Sequence, residues 1–217
     1  MFSNFFKKNK NQTTNRLKVF LCLSLVFNII YTIFLCVASL IYHSEWFLIM
    51  SIYYASLSVA RVFLCAKISK DKLTRIKTMR AYGNFLFLIN LLVSILMFIL
   101  IYKKQPIKYH EITVITLATY TFYALTVAIV NGIKYLRKND HVYLCVKVTS
   151  LVSASVSIVT LTNTMLATFG ENNQALRSII LPFIGGLVSI FIIVTAVFLI
   201  KKSNLDLRKL KNAKQRE

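Results

Sequence analysis

The chain has 217 residues, 57% of them hydrophobic, with 27 Lys and Arg against 7 Asp and Glu and a formal charge of +20. A basic nucleic-acid binder spreads its cations over a patch on a polar surface, whereas here they lie in short blocks between apolar runs. Those runs match the roughly 20 residues a helix needs to cross a hydrocarbon layer about 30 Å thick, so a soluble nucleic-acid-binding domain is excluded and an integral membrane protein is expected.

In chain order, residues 1–17 form a basic tail that resembles the n-region of a signal peptide. The apolar run after it is too long for one and lacks a small-residue cleavage site, so a retained first helix is expected over 18–41. A second span, 46–67, follows the uncharged-to-acidic turn "YHSEW". Next comes "AKISKDKLTRIKTMR" (66–80), which carries Lys67, Lys70, Lys72, Arg75, Lys77 and Arg80 and reads as a connection between helices 2 and 3. The third span, 82–102, contains "FLFLINLLVSILMFILIY", which has neither the roughly ten-residue length nor the alternating polarity of a membrane strand. Spans at 111–134, 143–168 and 178–200 complete the series, and 201–217 is a basic tail. The expected fold is all-α: one polytopic domain of six transmembrane helices over 18–200, with connections too short to hold a separate soluble domain.

Lys and Arg in short loops set membrane orientation, while acidic residues contribute little. Both tails, the 66–80 stretch and the connection with Lys134, Arg137, Lys138 and Lys147 are rich in cations; the opposite side has only Lys103, Lys104, Lys108 and Arg177. Both termini are therefore expected in the cytoplasm. The expected partner is the bilayer itself, with anionic lipids at the inner surface, where each nearby cation is worth about 1 kcal/mol. Tyr42, Trp46, Tyr102 and Tyr109 are expected at the outer interface and Tyr82, Tyr135 and Tyr143 at the inner one.

Glu45, Glu111 and Glu171 fall at the three outer turns and Asp71, Asp140 and Asp206 after the inner ends of helices 2, 4 and 6. Laying "YYASLSVARVFLCAKISKDK" (53–72) on "TFYALTVAIVNGIKYLRKND" (121–140) matches Leu57, Val59, Ala60, Val62 and Lys70 with identical residues. This register reads as three parallel two-helix repeats, 1–2, 3–4 and 5–6; simple likeness of helix ends is the alternative.

Beyond Glu111 at the first position of the 111–134 span, no Asp, Glu or His falls inside a span, which argues against a carboxylate proton or sodium relay. Arg61 is the one clear cation at membrane depth. It lies six residues before Lys67, about 9 Å along a helix, so its stem can snorkel to the inner surface or it can meet an anion or lipid headgroup. Helix 5 is the most polar span: Ser150, Ser153, Ser157, Thr160, Thr164 and Thr168 share one arc, with Asn163 beside it. Such a face either lets helices pack closely or lines a water or solute path. Asn28, Asn84, Asn90 and Asn131 add amides to other spans, and the candidate intramembrane sites are Arg61, Asn131, Ser153, Ser157, Thr160, Asn163 and Thr164. In helix 6 the spacing of Gly185 and Ser189 suits close packing on helix 5, with Pro182 near the helix start. Cys22, Cys36, Cys65 and Cys145 have no CxxC spacing and read as small buried hydrophobes. His43 with Glu45 and His110 with Glu111 are zinc-ligand types at related positions, but the spacing matches no metal motif. No cofactor is expected, and no nucleophile, base or phosphate loop points to an enzyme.

The segments "YHSEWFLIMSIYYASLSVAR" (42–61), "YTFYALTVAIVNGIKYLRKN" (120–139) and "NTMLATFG" (163–170) resemble a group of small six-helix membrane proteins common in clostridia and related Firmicutes. The resemblance spans nearly the whole chain and implies six helices and a bacterial plasma-membrane location; it brings no catalytic residue. In that group an acidic residue often stands where this chain has Asn163, a departure that weakens an ion-coupled mechanism here. Two function classes stay open: a small-solute transporter or channel, and a non-transporting protein acting through lipid or protein association, including association with copies of itself.

Overall fold

A computed structural model describes residues 2–67, 71–102, 109–134, 141–169 and 174–215, with side chains described for 22–67, 71, 73–95, 98, 109–130, 141–142, 144–169, 179–212 and 215. Six helices make up the fold: α1 (Phe2–Tyr42), α2 (Glu45–Lys67), α3 (Lys72–Tyr102), α4 (Glu111–Lys134), α5 (His141–Phe169) and α6 (Gln174–Lys214). All six are long and apolar enough to cross a membrane. Helices are the physical answer to such sequences, because lipid offers no partner to a backbone N–H or C=O and a helix satisfies both within its own segment. Large apolar side chains cover the outside, among them Leu40, Ile52, Val59, Ile115, Phe122 and Val194. A surface of that kind belongs against hydrocarbon.

The helix ends show local causes. His43 adopts a left-handed backbone, φ 47°, to reverse the chain between α1 and α2. Ser39 and Ser44 lock that reversal, with the Ser44 N–H donating to the Ser39 carbonyl at 3.1 Å and the Ser39 hydroxyl donating to the Ser44 carbonyl at 3.2 Å. Glu45 and Glu111 sit in the first turns of α2 and α4, where a negative charge favours the helix dipole.

Three helices outrun the expected spans. Of the expected 66–80 connection, 66 and 67 belong to α2 and 72–80 to α3, with Arg75, Lys77 and Arg80 on the opening turns of α3; 68–70 lie outside the described residues. Both tails are helical as well, α1 starting at Phe2 and α6 running to Lys214. At this basic end α3 and α6 stay packed: the fully buried Ser203 hydroxyl donates to the Ile76 carbonyl at 2.8 Å, and His141 of α5 pairs with Asp206 of α6 at 2.8 Å.

α2 and α5 are the central helices. α1 packs on α2 as α4 packs on α5, and α2 meets α3 as α5 meets α6. Across the middle α2 touches α5, and α3 pairs with α6 most extensively. That last pair runs antiparallel: Asn90 faces Ser189, Gly83 faces Ala196, and Ile76 faces Ser203. Gly83 is required there, since a Cβ on it would lie 2.8 Å from Ile200 Cγ1 and 3.1 Å from the Ala196 carbonyl oxygen. Among the described residues α3 and α4 are not a substantial packing pair, so the hairpin 3–4 expected from the two-helix register does not form a packing unit.

Candidate functional site

At mid-depth, where α1, α2, α4 and α5 converge, the side chains are polar and aromatic. Asn28 of α1 is the hub. Its amide Nδ2 donates to Ser58 Oγ at 3.0 Å and to the Tyr54 carbonyl at 3.4 Å, both on α2. Its Oδ1 accepts from the Tyr120 hydroxyl of α4 at 2.7 Å and from Ser153 Oγ of α5 at 3.5 Å. One amide thus touches three other helices. Tyr31 stacks on Tyr120 with ring centroids 3.4 Å apart and meets Tyr54 edge-on at 4.8 Å, while the Tyr54 hydroxyl donates to the Ser153 carbonyl at 3.1 Å. In hydrocarbon a phenol or amide without a partner is costly, which is the reason Asn28, Tyr54, Tyr120 and Ser153 find one another; Tyr31 joins them through its ring, its hydroxyl being buried without a hydrogen-bond partner.

Arg61 lies on α2 one to two turns toward the basic end from this hub. Only 3% of it is exposed, so it does not snorkel to the surface as its position near Lys67 allowed. Nη1 donates to the Ser24 carbonyl at 2.9 Å and to the Ser24 hydroxyl on α1. Nε is buried with no hydrogen-bond partner. The guanidinium stays protonated at any accessible pH, and among the described residues no carboxylate pairs with it. Arg61 borders a small cavity of about 10 Å³ lined also by Ser24, Tyr120, Tyr123, Ser150 and Ser153, the size that holds one water-sized particle.

The hydroxylated face of α5 is a packed seam. Ser150, Ser153, Ser157, Thr160, Asn163 and Thr164 are all buried. Most of these hydroxyls are satisfied within the helix: Thr160 donates to the Val156 carbonyl at 3.1 Å, Thr164 to Thr160 at 2.7 Å and Ser157 to Ala154 at 2.8 Å. Of the expected sites, then, Ser153 alone joins Arg61 at the small cavity; Ser157, Thr160, Asn163 and Thr164 continue the seam toward the other end. The Asn131 side chain lies outside the described residues.

A groove of about 320 Å³ opens between α2, α3, α5 and α6. Gly185 and Gly186 line it, and a Cβ on either would meet nothing within 4 Å. The expected packing of Gly185 and Ser189 on α5 is therefore replaced by open space at the glycines. Ser189 turns to α3, accepting from Asn90 Nδ2 at 2.9 Å and sharing a hydrogen bond with Ser94 at 2.9 Å. Pro182 also lines the groove and stands inside α6, because the helix starts at Gln174, earlier than the sequence suggested.

Other expectations divide. Tyr82, assigned to the lipid interface, is buried with its hydroxyl 2.5 Å from Thr149 Oγ1; Tyr109 is buried 3.1 Å from the Ser44 hydroxyl. Tyr135 and the Tyr102 and Tyr143 side chains lie outside the described residues. All four cysteines are free, but only Cys145 is buried, with Cys22 and Cys36 on the exposed outer face. Among the described residues no group of three or more His, Cys, Asp or Glu could hold a metal ion.

Sequence reading passed over Tyr31, Tyr54, Tyr120 and Ser24. The available signal was depth: these tyrosines fall in the middle of spans, where a hydroxyl cannot reach interfacial water and a partner within the bundle is favoured, as Tyr54 and Tyr120 find. No known protein-family model matches the chain, and no curated protein matches its sequence.

Proposed function

We propose that this integral membrane protein is a small-solute transporter of the carrier type, that its solute is a small anion, and that Arg61 is the ligand. The observation that carries the reading is a buried guanidinium that keeps its charge with no carboxylate beside it. A cation at the centre of a membrane helix is uphill by about 2.5–3.5 kcal/mol on insertion scales, and an anion taken up beside it offsets that cost. Around the cavity the hydroxyls of Ser24 and Tyr123 are suitable donors to such an anion, while those of Tyr120 and Ser150 donate to Asn28 and to the Val146 carbonyl.

The arrangement of helices supports a carrier over a permanent pore. The Ser157, Thr160 and Thr164 hydroxyls of α5 bond to their own helix, and none of the three lines the Arg61 cavity or the larger groove, which share no lining residue. The matching packing order of α1–α3 and α4–α6, with α3 and α6 antiparallel, is what inverted three-helix repeats produce. Many carriers place their sites near the midplane between such repeats. The basic end faces the cytoplasm in this reading, where the exposed Lys77, Arg80, Lys201, Arg208, Lys209 and Lys211 meet anionic lipid headgroups.

Purified protein in liposomes loaded with a halide-quenched dye tests this. Chloride or bromide influx should exceed that of empty liposomes and fall to their level in Arg61→Gln. Equal flux in wild type and Arg61→Gln removes Arg61 from the pathway; no flux in either removes the transport reading.

A further inference from the structure

We infer that the groove between α2, α3, α5 and α6 is a binding site for a neutral glycerolipid, held by the indole N–H of Trp46 and the hydroxyl of Tyr53. Both residues line the groove, at 6% and 1% exposure. Trp46 Nε1 and the Tyr53 oxygen are buried polar atoms without a hydrogen-bond partner. Buried polar groups are nearly always paired, and an indole N–H can only donate. Two orphaned groups on one cavity therefore point to an occupant that carries acceptors. The other polar side chains of the groove, Asn90, Ser94 and Ser189, satisfy one another and leave Trp46 and Tyr53 as the groups still in need.

The chemistry of the occupant follows from the rest of the lining. Among the described residues none that borders the groove is charged, so a charged headgroup would sit there without a counterion from them. Phe98 and Ile190 border the groove and are each 61% exposed on the lipid-facing side, so its mouth opens into hydrocarbon rather than water. Trp46 is the second residue of α2, at the membrane boundary. Tyr53 lies seven residues on, on the same helix face and about 10 Å deeper. A glycerol unit near Trp46 with its ester carbonyl toward Tyr53 meets both donors, and the acyl chain leaves past Phe98 and Ile190. The volume, about 320 Å³, is at the small end of ligand sites; it suits a glycerol ester with part of its chain, the remainder staying in the bilayer. Gly185 and Gly186 border this room, and a Cβ on either would meet nothing within 4 Å.

Trp46 is the only tryptophan in the chain, so its emission reports directly on the groove. The full-length protein in detergent is titrated with 1-monooleoylglycerol, with oleate and 1-octadecene as the charged and acceptor-free counterparts. Monooleoylglycerol should give a saturable change in Trp46 emission, with at least tenfold weaker binding in Tyr53→Phe and loss of the saturable phase in Gly185→Leu. Oleate should bind at least tenfold more weakly and octadecene should give no saturable change. Gly185→Leu should keep the wild-type melting temperature, because its new side chain enters open space; loss of binding then reports a filled groove, not a lost fold. A linear, unsaturable response, equal binding of octadecene or oleate, or unchanged binding in Gly185→Leu and Tyr53→Phe overturns the site. Because this groove is separate from the Arg61 cavity, the outcome does not depend on whether the protein carries an anion.

Discussion

Replacing Asn28 with Leu removes the one amide that joins α1 to α2, α4 and α5, and the size of the loss follows from its contacts. The two short bonds, from Tyr120 at 2.7 Å and to Ser58 at 3.0 Å, carry most of it; those at 3.4 and 3.5 Å are long enough to contribute little. Interhelical hydrogen bonds in membranes average about 0.6 kcal/mol and reach about 1.7 kcal/mol, so Asn28→Leu should destabilise the bundle by about 1–3 kcal/mol. The share is unequal. Ser58 keeps its own bond to the Tyr54 carbonyl at 2.9 Å, whereas Tyr120 is left with a 3.4 Å contact to Ser153. A double-mutant cycle of Asn28→Leu with Tyr120→Phe should therefore show a coupling of about 0.6–1.7 kcal/mol, read by reversible unfolding in sodium dodecyl sulfate. Wild-type stability for Asn28→Leu, or two single losses that simply add, would refute the hub.

At the α3–α6 contact, Gly83→Ala gains about 1 kcal/mol of helix propensity but meets Ile200 and the Ala196 carbonyl. Overpacking of about 1–3 kcal/mol should win, and a raised melting temperature would show that α6 can move away. Ser157→Leu or Thr160→Leu should destabilise the buried α5 seam by a similar roughly 1–3 kcal/mol; unchanged thermal stability of both in detergent would mean that the face is not packed. In a cysteine-free background, single cysteines at the exposed positions 43 or 45 should be labelled in intact cells and one at the exposed position 77 spared, and labelling of the latter would reverse the orientation.

The six spans were legible because a bilayer imposes length and apolarity on each helix separately, and those are local properties. Which helices pair is not local. The likeness of 53–72 to 121–140 suggested two-helix units, yet the α3–α6 contact depends on Gly83 meeting Ala196 and Ile200, more than a hundred residues away, and no periodicity announces it. Arg61 was visible as a charge in a span, and its burial was not, since snorkelling and burial differ only in whether α1 presents Ser24 to it. Asn28 and the mid-span tyrosines were readable by depth alone. The groove was hidden for a further reason: a Gly-xxx-Ser pattern signals small volume, and small volume serves close packing and open space equally.

The most direct test of Arg61 as an anion ligand is the melting temperature of the purified protein in chloride or bromide against gluconate at matched ionic strength. A ligand bound only to the folded state stabilises it in proportion to the logarithm of its concentration once above its Kd. The wild type should melt higher as halide rises, whereas Arg61→Gln, freed of its buried charge, should melt at least as high as wild type in gluconate and show no halide response. A halide shift of equal size in Arg61→Gln, or none in the wild type, would contradict the assignment.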